Sequence, residues 1–243
     1  MKNSEKWKSS KYEILHGRLR ASRDTGELAV GSRFIADIVA DFYSRAIPAY
    51  SKGRLVDLGC GKAPLYGLYK DFSSDVTLTD WPHSAHHNEC LDCACDLNKR
   101  LPFPDNEFNT IILSDVLEHI AEPGQLWKEM HRILSAKGRV LLNTPFYYWI
   151  HEQPYDYYRY TEYALKYMAE SAGFKVLELD CFGGAPEVVL DILSKRFARN
   201  KIGRVLLWAI QCLQEKTKHR ALTKKSRKTF PLGYYMVVEK QEG

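Results

Sequence analysis

The spacing of apolar positions changes period several times along the chain. From Arg33 to Tyr50, residues Phe34, Ile35, Ile38, Val39 and Phe42 recur at helical intervals, and Pro48 and Gly53 punctuate the end. RLVDLGCG, starting at Arg54, is a short apolar strand that runs straight into glycines. KAPLYGLYKDF (62–72) predicts a helix, DVTLTD (75–80) a second strand and LDCACDL (91–97) a third. FNTIILSD is a buried strand, because Ile111, Ile112 and Leu113 form a continuous apolar run. Residues 123–134 predict a helix with Pro123 in its first turn and Leu126, Trp127, Met130, Ile133 and Leu134 on one face. After Gly138 comes the strand RVLLNTP. Thr161 suits the N-cap of EYALKYMAESA, and Gly173 ends that helix. FKVLELD and GYYMVVEK are the sixth and seventh strands.

Alternating strands and helices call for a mainly parallel sheet covered on both faces, a doubly wound α/β architecture. The expected organisation is a polar, loose N-terminal arm over residues 1–27 and a single domain over 28–243. About 50 residues separate the sixth and seventh strands, far more than a usual connection, so a helical insertion is expected at about 183–230. Composition fits a soluble globular chain, with 45% hydrophobic and 27% charged residues. The net charge of +5 is unevenly spread: residues 195–228 hold twelve Lys and Arg against one acid, Glu215. That is +11 locally and −6 for the remainder. A basic block on an acidic body suits an anionic partner such as a membrane surface, a phosphorylated lipid or a nucleic acid; a solvated helix face is the plainer alternative. Within it, Ile202, Val205, Leu206, Trp208, Ala209, Cys212 and Leu213 can share one side of a helix. Such a face suits a membrane interface, packing on the body of the domain, or a homodimer contact. The N-terminus lacks an apolar signal region and no apolar run is long enough to span a membrane, so a cytoplasmic location is expected, with peripheral contact at the inner membrane face as the basic block's reading. Free thiols are then expected for the six cysteines.

The first strand carries the sharpest chemistry. It ends in Asp57 and Leu58, and Gly59-Cys60-Gly61 turns the chain where open α/β sheets bind ligands. A dinucleotide fingerprint would need a third glycine where Pro64 stands, and a phosphate loop would need Ser or Thr where Ala63 stands. A ligand with a positively charged end fits the Asp57 carboxylate better. Asp80 ends the second strand, about 20 residues past the turn, where an acid accepts hydrogen bonds from ribose hydroxyls. Asp96 ends the third strand and can accept from an adenine amino group; Ser114 and Asp115 end the fourth.

VDLGCGKAPL, TLTD, CDLNKRLPFPDNEFNTIILSDVLEHIAEP and GRVLLNTP, in that order, resemble the class I methyltransferases that use S-adenosylmethionine (SAM), in particular the subgroup with a D-x-L-E-H segment after strand four. The resemblance covers roughly residues 30–180 and implies strand order 3-2-1-4-5-7-6 with strand seven antiparallel. It implies that Asp57, Gly59 and Gly61 surround the methionine part of SAM and that Asp80 holds the ribose. It further implies Trp81 beside the adenine, Asp96 and Leu97 at the adenine edge, and Ser114 on the floor.

The methyl acceptor is then expected near Asp115, Glu118, His119, His151, Glu152, Tyr155, Asp156, Tyr158 and Arg159. His119 and His151 are the candidate general bases for a hydroxyl acceptor, against purely structural roles for both. HEQPYDYYRYTEYAL looks like a segment of methyltransferases encoded among surface-polysaccharide genes, and tyrosine rings stack on sugar faces, although a hydrophobic lid wall also favours Tyr. Asp115-x-x-Glu118-His119 with His151 is similar to a divalent-metal set in small-RNA and ubiquinone-pathway O-methyltransferases, where the first acid is usually Glu; most of the D-x-L-E-H subgroup needs no metal. His83, His86, His87, Cys90, Cys93 and Cys95 are dense enough for zinc but fit no standard spacing. The leading expectation is O-methylation of a sugar, glycolipid or polysaccharide precursor. The alternatives are a quinone-like lipid or RNA acceptor, and a SAM-binding module without catalysis.

Overall fold

The computed structural model describes residues 1–84, 86, 88–197 and 219–242. A seven-stranded sheet forms the centre. Its strands are β3 (Arg54–Leu58), β4 (Asp75–Asp80), β5 (Cys93–Ala94), β6 (Phe108–Ser114), β7 (Leu134–Pro145), β8 (Phe174–Phe182) and β9 (Gly233–Lys240). The spatial order is β5-β4-β3-β6-β7-β9-β8, and β9 runs antiparallel to both neighbours. Counted along the chain within this sheet, that is the expected 3-2-1-4-5-7-6.

Both sheet faces are covered, which explains the continuous apolar runs. Leu55, Leu78, Ile112, Leu141 and Val237 face α1 (Arg33–Tyr50) through Val39, Phe42, Tyr43 and Ile47. Val56, Leu58, Ile111, Leu113, Val140, Leu142, Met236 and Val238 face the other way. There they meet Trp127, Met130 and Ile133 of α3 (Pro123–Ile133) and Leu165 and Ala169 of α4 (Glu162–Ser171). Thr161 caps α4 as expected, its hydroxyl accepting from the Ala164 amide.

Several elements differ from the sequence reading. The third strand is only two residues long; it is an edge strand, paired solely with Thr79 and Asp80 of β4. The helix expected over 62–72 shrinks to one turn, α2 (Tyr66–Tyr69), followed by a 3-10 turn. A side chain at Gly67 would lie 2.8 Å from the Trp7 ring, so this stretch is shaped by the N-terminal segment. Leu134 opens β7 rather than closing α3, because the strand starts early and bulges before Arg139.

The loose arm expected over residues 1–27 is instead largely ordered. β1 (Tyr12–Leu15) and β2 (Arg18–Ala21) form a hairpin whose two turn residues, His16 and Gly17, both have positive φ. Tyr12, Leu19 and Ala21 are buried in the core beneath α1. The amides of Leu19 and Ala21 donate to Ser44 Oγ and Asp37 Oδ1 of that helix. Only the short β2 alternates in burial, and β1 exposes Ile14 and Leu15, so the strand period is weak in the sequence.

The expected insertion contains α5 (Ala185–Phe197) and α6 (His219–Ser226). α5 packs on the 3-10 turn Val30–Ser32 that precedes α1, with Ser194 Oγ donating to the Gly31 carbonyl. The apolar segment expected at 202–213, and most of the basic block of 195–228 proposed to meet a membrane or a second copy, lie outside the described residues. Among the described residues no helix is long and apolar enough to cross a membrane. Cys60, Cys90, Cys93, Cys95 and Cys181 are unpaired thiols.

Candidate functional site

The turn after β3 is built for close approach. Gly59 and Gly61 have φ of 73° and 52°, a region that L side chains rarely adopt. The amides of Gly59 and Cys60 both donate to the Thr79 carbonyl at 2.9 Å, which ties the turn to β4. A Cβ on Gly59 would stand 2.7 Å from Val116, so glycine also admits the segment that follows β6. The nearest atom to a Cβ on Gly61 would be 3.7 Å away on His86, leaving its backbone open on that side.

Asp57 is buried beneath this turn and accepts from the Tyr69 hydroxyl at 2.8 Å. Burial pushes its carboxyl up to about 7; the Tyr69 bond opposes this and the nearby Asp80 charge reinforces it. Asp80 closes β4. Its Oδ1 accepts from the Trp81 amide at 2.8 Å, while Oδ2 is buried with no partner. Burial raises this carboxyl as well. An orphaned carboxylate oxygen beside a glycine turn is unusual, because buried polar atoms are nearly always paired. It fits the ribose of a nucleoside, and the open turn fits the methionine part of SAM.

The remaining expected contacts are distributed around this pair. Trp81 is half-buried and meets Tyr155 and His83 edge-on, at 4.9 and 5.2 Å between ring centroids. Asp96 Oδ1 accepts from the Asn98 amide and side chain, and Lys99 lies 3.3 Å from Oδ2. Leu97 is buried in the lower core. Ser114 Oγ donates to Asn143 Oδ1 at 2.9 Å.

Asn143 organises a polar network that the sequence reading missed. Its Oδ1 also accepts from the Tyr43 hydroxyl, and its Nδ2 donates to Asp115 Oδ1. Asp115 Oδ2 accepts from Lys11 Nζ at 2.7 Å. The strand-end acid at 115 is therefore committed to Asn143 and to the N-terminal segment.

The acceptor side is held by a loop stitched to the 3-10 turn Leu117–His119. The Tyr157 and Tyr158 amides donate to the Glu118 carbonyl, and the Tyr160 hydroxyl donates to the Leu117 carbonyl. Arg159 forms a bidentate pair with Asp156 at 2.6 and 2.8 Å. That guanidinium holds the Asp156 carboxyl well below the usual range, despite opposing burial. His119 Nδ1 lies 2.8 Å from the Tyr155 carbonyl and His151 Nδ1 lies 3.3 Å from Asp156 Oδ2. The Tyr155 carbonyl can only accept, so His119 Nδ1 donates in that contact, whereas His151 Nδ1, although near Asp156, is buried without a hydrogen bond.

Both Nε2 atoms point to one place. They lie 3.9 Å from Glu118 Oε1, and the ring centroids are 4.7 Å apart. Glu118 is fully buried; Thr144 donates to its Oε2, and Oε1 has no partner. Burial first, then the Asp115 charge, pushes the Glu118 carboxyl well up. Burial and the neighbouring His119 push His151 down, favouring its neutral form. Glu152 reaches over both halves of the site, 3.6 Å from His86 Nε2 and 3.9 Å from His119 Nε2. Such a cluster can take a proton from a hydroxyl or ligate a cation. The residues from His83 to Cys95 form no metal-capable cluster among the described residues, and His87 lies outside them.

A family model described as a methyltransferase domain matches residues 32–179, more than half of the chain. An uncharacterized protein of Methanocaldococcus jannaschii is 34% identical over 91 residues, covering 36% of this chain and 39% of that protein, so the aligned region spans about two fifths of the relative's length. Among solved structures, a SAM-dependent methyltransferase from Archaeoglobus fulgidus superposes with a TM-score of 0.55 at 17% identity, over 83% of this chain and 93% of its own. The [4+2]-cyclase SpnF superposes with a TM-score of 0.56 at 18% identity, over 96% and 90% of the two chains. The shared fold thus serves more than one chemistry, and it is the family match that speaks to the reaction.

Proposed function

The chain belongs to the methyltransferase-domain family and is a SAM-dependent methyltransferase, and on that premise we propose that it O-methylates a hydroxyl of a sugar or glycolipid. The observation that carries this reading is the pair of imidazoles whose Nε2 atoms both lie 3.9 Å from Glu118 Oε1, the His119 ring being held through Nδ1 on the Tyr155 carbonyl. A hydroxyl acceptor needs a proton acceptor in reach as it attacks, and a neutral imidazole suits that task. SAM supplies an electrophilic methyl on a sulfonium. In this proposal Asp57, Gly59 and Gly61 hold its methionine end. Asp80 holds the ribose through its unpaired oxygen, Trp81, Asp96 and Leu97 flank the adenine, and Ser114 forms the floor.

The loop after β7 supports a carbohydrate acceptor. Trp149, Tyr155, Tyr157 and Tyr158 are exposed on it although they are large and apolar, and aromatic faces stack on sugar rings. The test is transfer of labelled methyl from SAM into fractionated cell extract. Label in an acid-labile glycan or glycolipid fraction is expected, and it should be lost with His151→Ala. Label confined to RNA or to the quinone fraction would overturn the carbohydrate assignment. No transfer into any fraction, despite SAM binding, would favour a binding module.

A further inference from the structure

Three potential ligand atoms meet just beyond β6. Glu118 Oε1 is buried and lacks a donor. His119 Nε2 and His151 Nε2 each lie 3.9 Å from it. A buried carboxyl oxygen left unpaired is costly unless a proton or a cation joins it. One ligand atom from each of the three residues fits within 4.8 Å of the others. Glu152 Oε2 adds a fourth donor 3.9 Å from His119 Nε2, on an exposed side chain whose Oε1 lies 3.6 Å from His86 Nε2. Ligands at about 2.0–2.2 Å around a tetrahedral ion stand roughly 3.4 Å apart. The 3.9 Å separations therefore need to close by about half an ångström, and the remaining one, within 4.8 Å, by at most about 1.4 Å.

From this geometry we infer that Glu118, His119, His151 and Glu152 form a binding site for a divalent first-row transition ion. Two neutral imidazoles and two carboxylates match Mn²⁺, Fe²⁺ or Zn²⁺ better than the all-oxygen preferences of Ca²⁺. One outer partner is already in place, since His119 donates its Nδ1–H to the Tyr155 carbonyl, and Asp156 Oδ2 lies 3.3 Å from His151 Nδ1. Asp115 is outside the set because Lys11 and Asn143 occupy both of its oxygens. That separates this arrangement from the one its sequence resembles, which places an acid at position 115 among the ligands. An ion here would also pin the aromatic loop, because Glu152 and His151 both belong to it.

The site coincides with that of the O-methylation reading, but metal occupancy is measured without any acceptor, so the two can fail separately. Titration of tag-free protein with Mn²⁺, read by the loss of the free-ion EPR signal, should show one bound ion per chain. Mn²⁺ is chosen because thiolates do not favour it, which keeps the cysteines out of the measurement. Glu118→Gln, His151→Ala and Glu152→Gln should each weaken binding at least tenfold. Asp115→Asn should change it by less than threefold. Glu152 is on the surface, so its variant keeps the test valid if Glu118→Gln does not fold. Absence of binding at millimolar Mn²⁺ would overturn the inference. So would variants that bind like the parent, or a loss with Asp115→Asn and none with Glu152→Gln.

Discussion

If Asp57 holds the cofactor's cationic end, as proposed, cofactor binding becomes a function of pH. Its carboxyl sits beneath the glycine turn and burial raises it to about 7, so in the free protein it is half-protonated near neutrality. A cofactor whose methionine end is an ammonium binds best when Asp57 is ionised. If only that form binds, affinity should tighten roughly eightfold between about pH 6 and about pH 7.5. The sign for stability is opposite. The unfolded carboxyl titrates at the ordinary value of 3.8, so between there and about 7 the folded state holds the extra proton. Stability of the free protein should therefore fall as pH rises through that window, by a total on the order of 4 kcal/mol. Isothermal titration with S-adenosylhomocysteine across the range, repeated in two buffers of different ionisation enthalpy, reads both the slope and the released proton. Asp57→Asn should flatten the profile and, without ligand, melt no lower than the parent at about pH 7.5. If Asp57→Asn keeps the parental slope, the proton belongs to another group, with His86 beside Gly61 the first candidate, and the assignment of Asp57 to the cofactor's cationic end is refuted.

Asp80→Ala should weaken SAM by about 1.5–3 kcal/mol, roughly 10- to 100-fold, because it removes the unpaired oxygen proposed to accept from the ribose; NAD should not compete. Unchanged affinity in a folded variant, by the same titration, removes Asp80 from the site. Gly59→Ala should destabilise by about 2–4 kcal/mol in thermal unfolding, since the residue has a positive φ and the new methyl meets Val116; a neutral result would show that the turn relaxes freely. His119→Ala and His151→Ala should lower turnover by about 100- to 10,000-fold while leaving cofactor affinity near the parental value, and near-normal turnover at saturating acceptor would leave positioning as the whole of catalysis.

The architecture was legible because it rests on contiguous signals. Ile111, Ile112 and Leu113 announce a strand buried on both faces, and Thr161 announces the start of a helix within four residues of chain. Strand order came from the resemblance, not from the pattern, since hydrophobic period says nothing about which strands pair. Failures occurred where remote segments override a local pattern. The stretch 62–72 has helical spacing, yet Trp7 packs across Gly67 and only one turn forms. In the hairpin of residues 12–21 only Arg18–Ala21 alternates, over four residues, while Tyr12–Leu15 buries Tyr12 and exposes Ile14 and Leu15. The loose-arm reading followed composition and missed the period.

The same distinction separates the two halves of the site. The proposed cofactor half depends on residues at or beside strand ends, and strand ends can be read from the chain: Asp57 and Gly59 flank the end of β3, and Asp80 and Ser114 close β4 and β6. The acceptor half depends on what each polar atom finds across the fold. Asp115 and Glu118 look equivalent in the sequence, two acids three residues apart after one strand. Lys11, 104 residues away, and Asn143 take up the first acid, and no donor reaches Oε1 of the second. Burial pushes the unpaired Glu118 carboxyl up, so that it takes a proton or a cation. Lys11 thereby does more than close a hairpin onto the body. By engaging Asp115 it leaves Glu118 as the acid with an unpaired oxygen near the two imidazoles, which is where the proposed ion would be received.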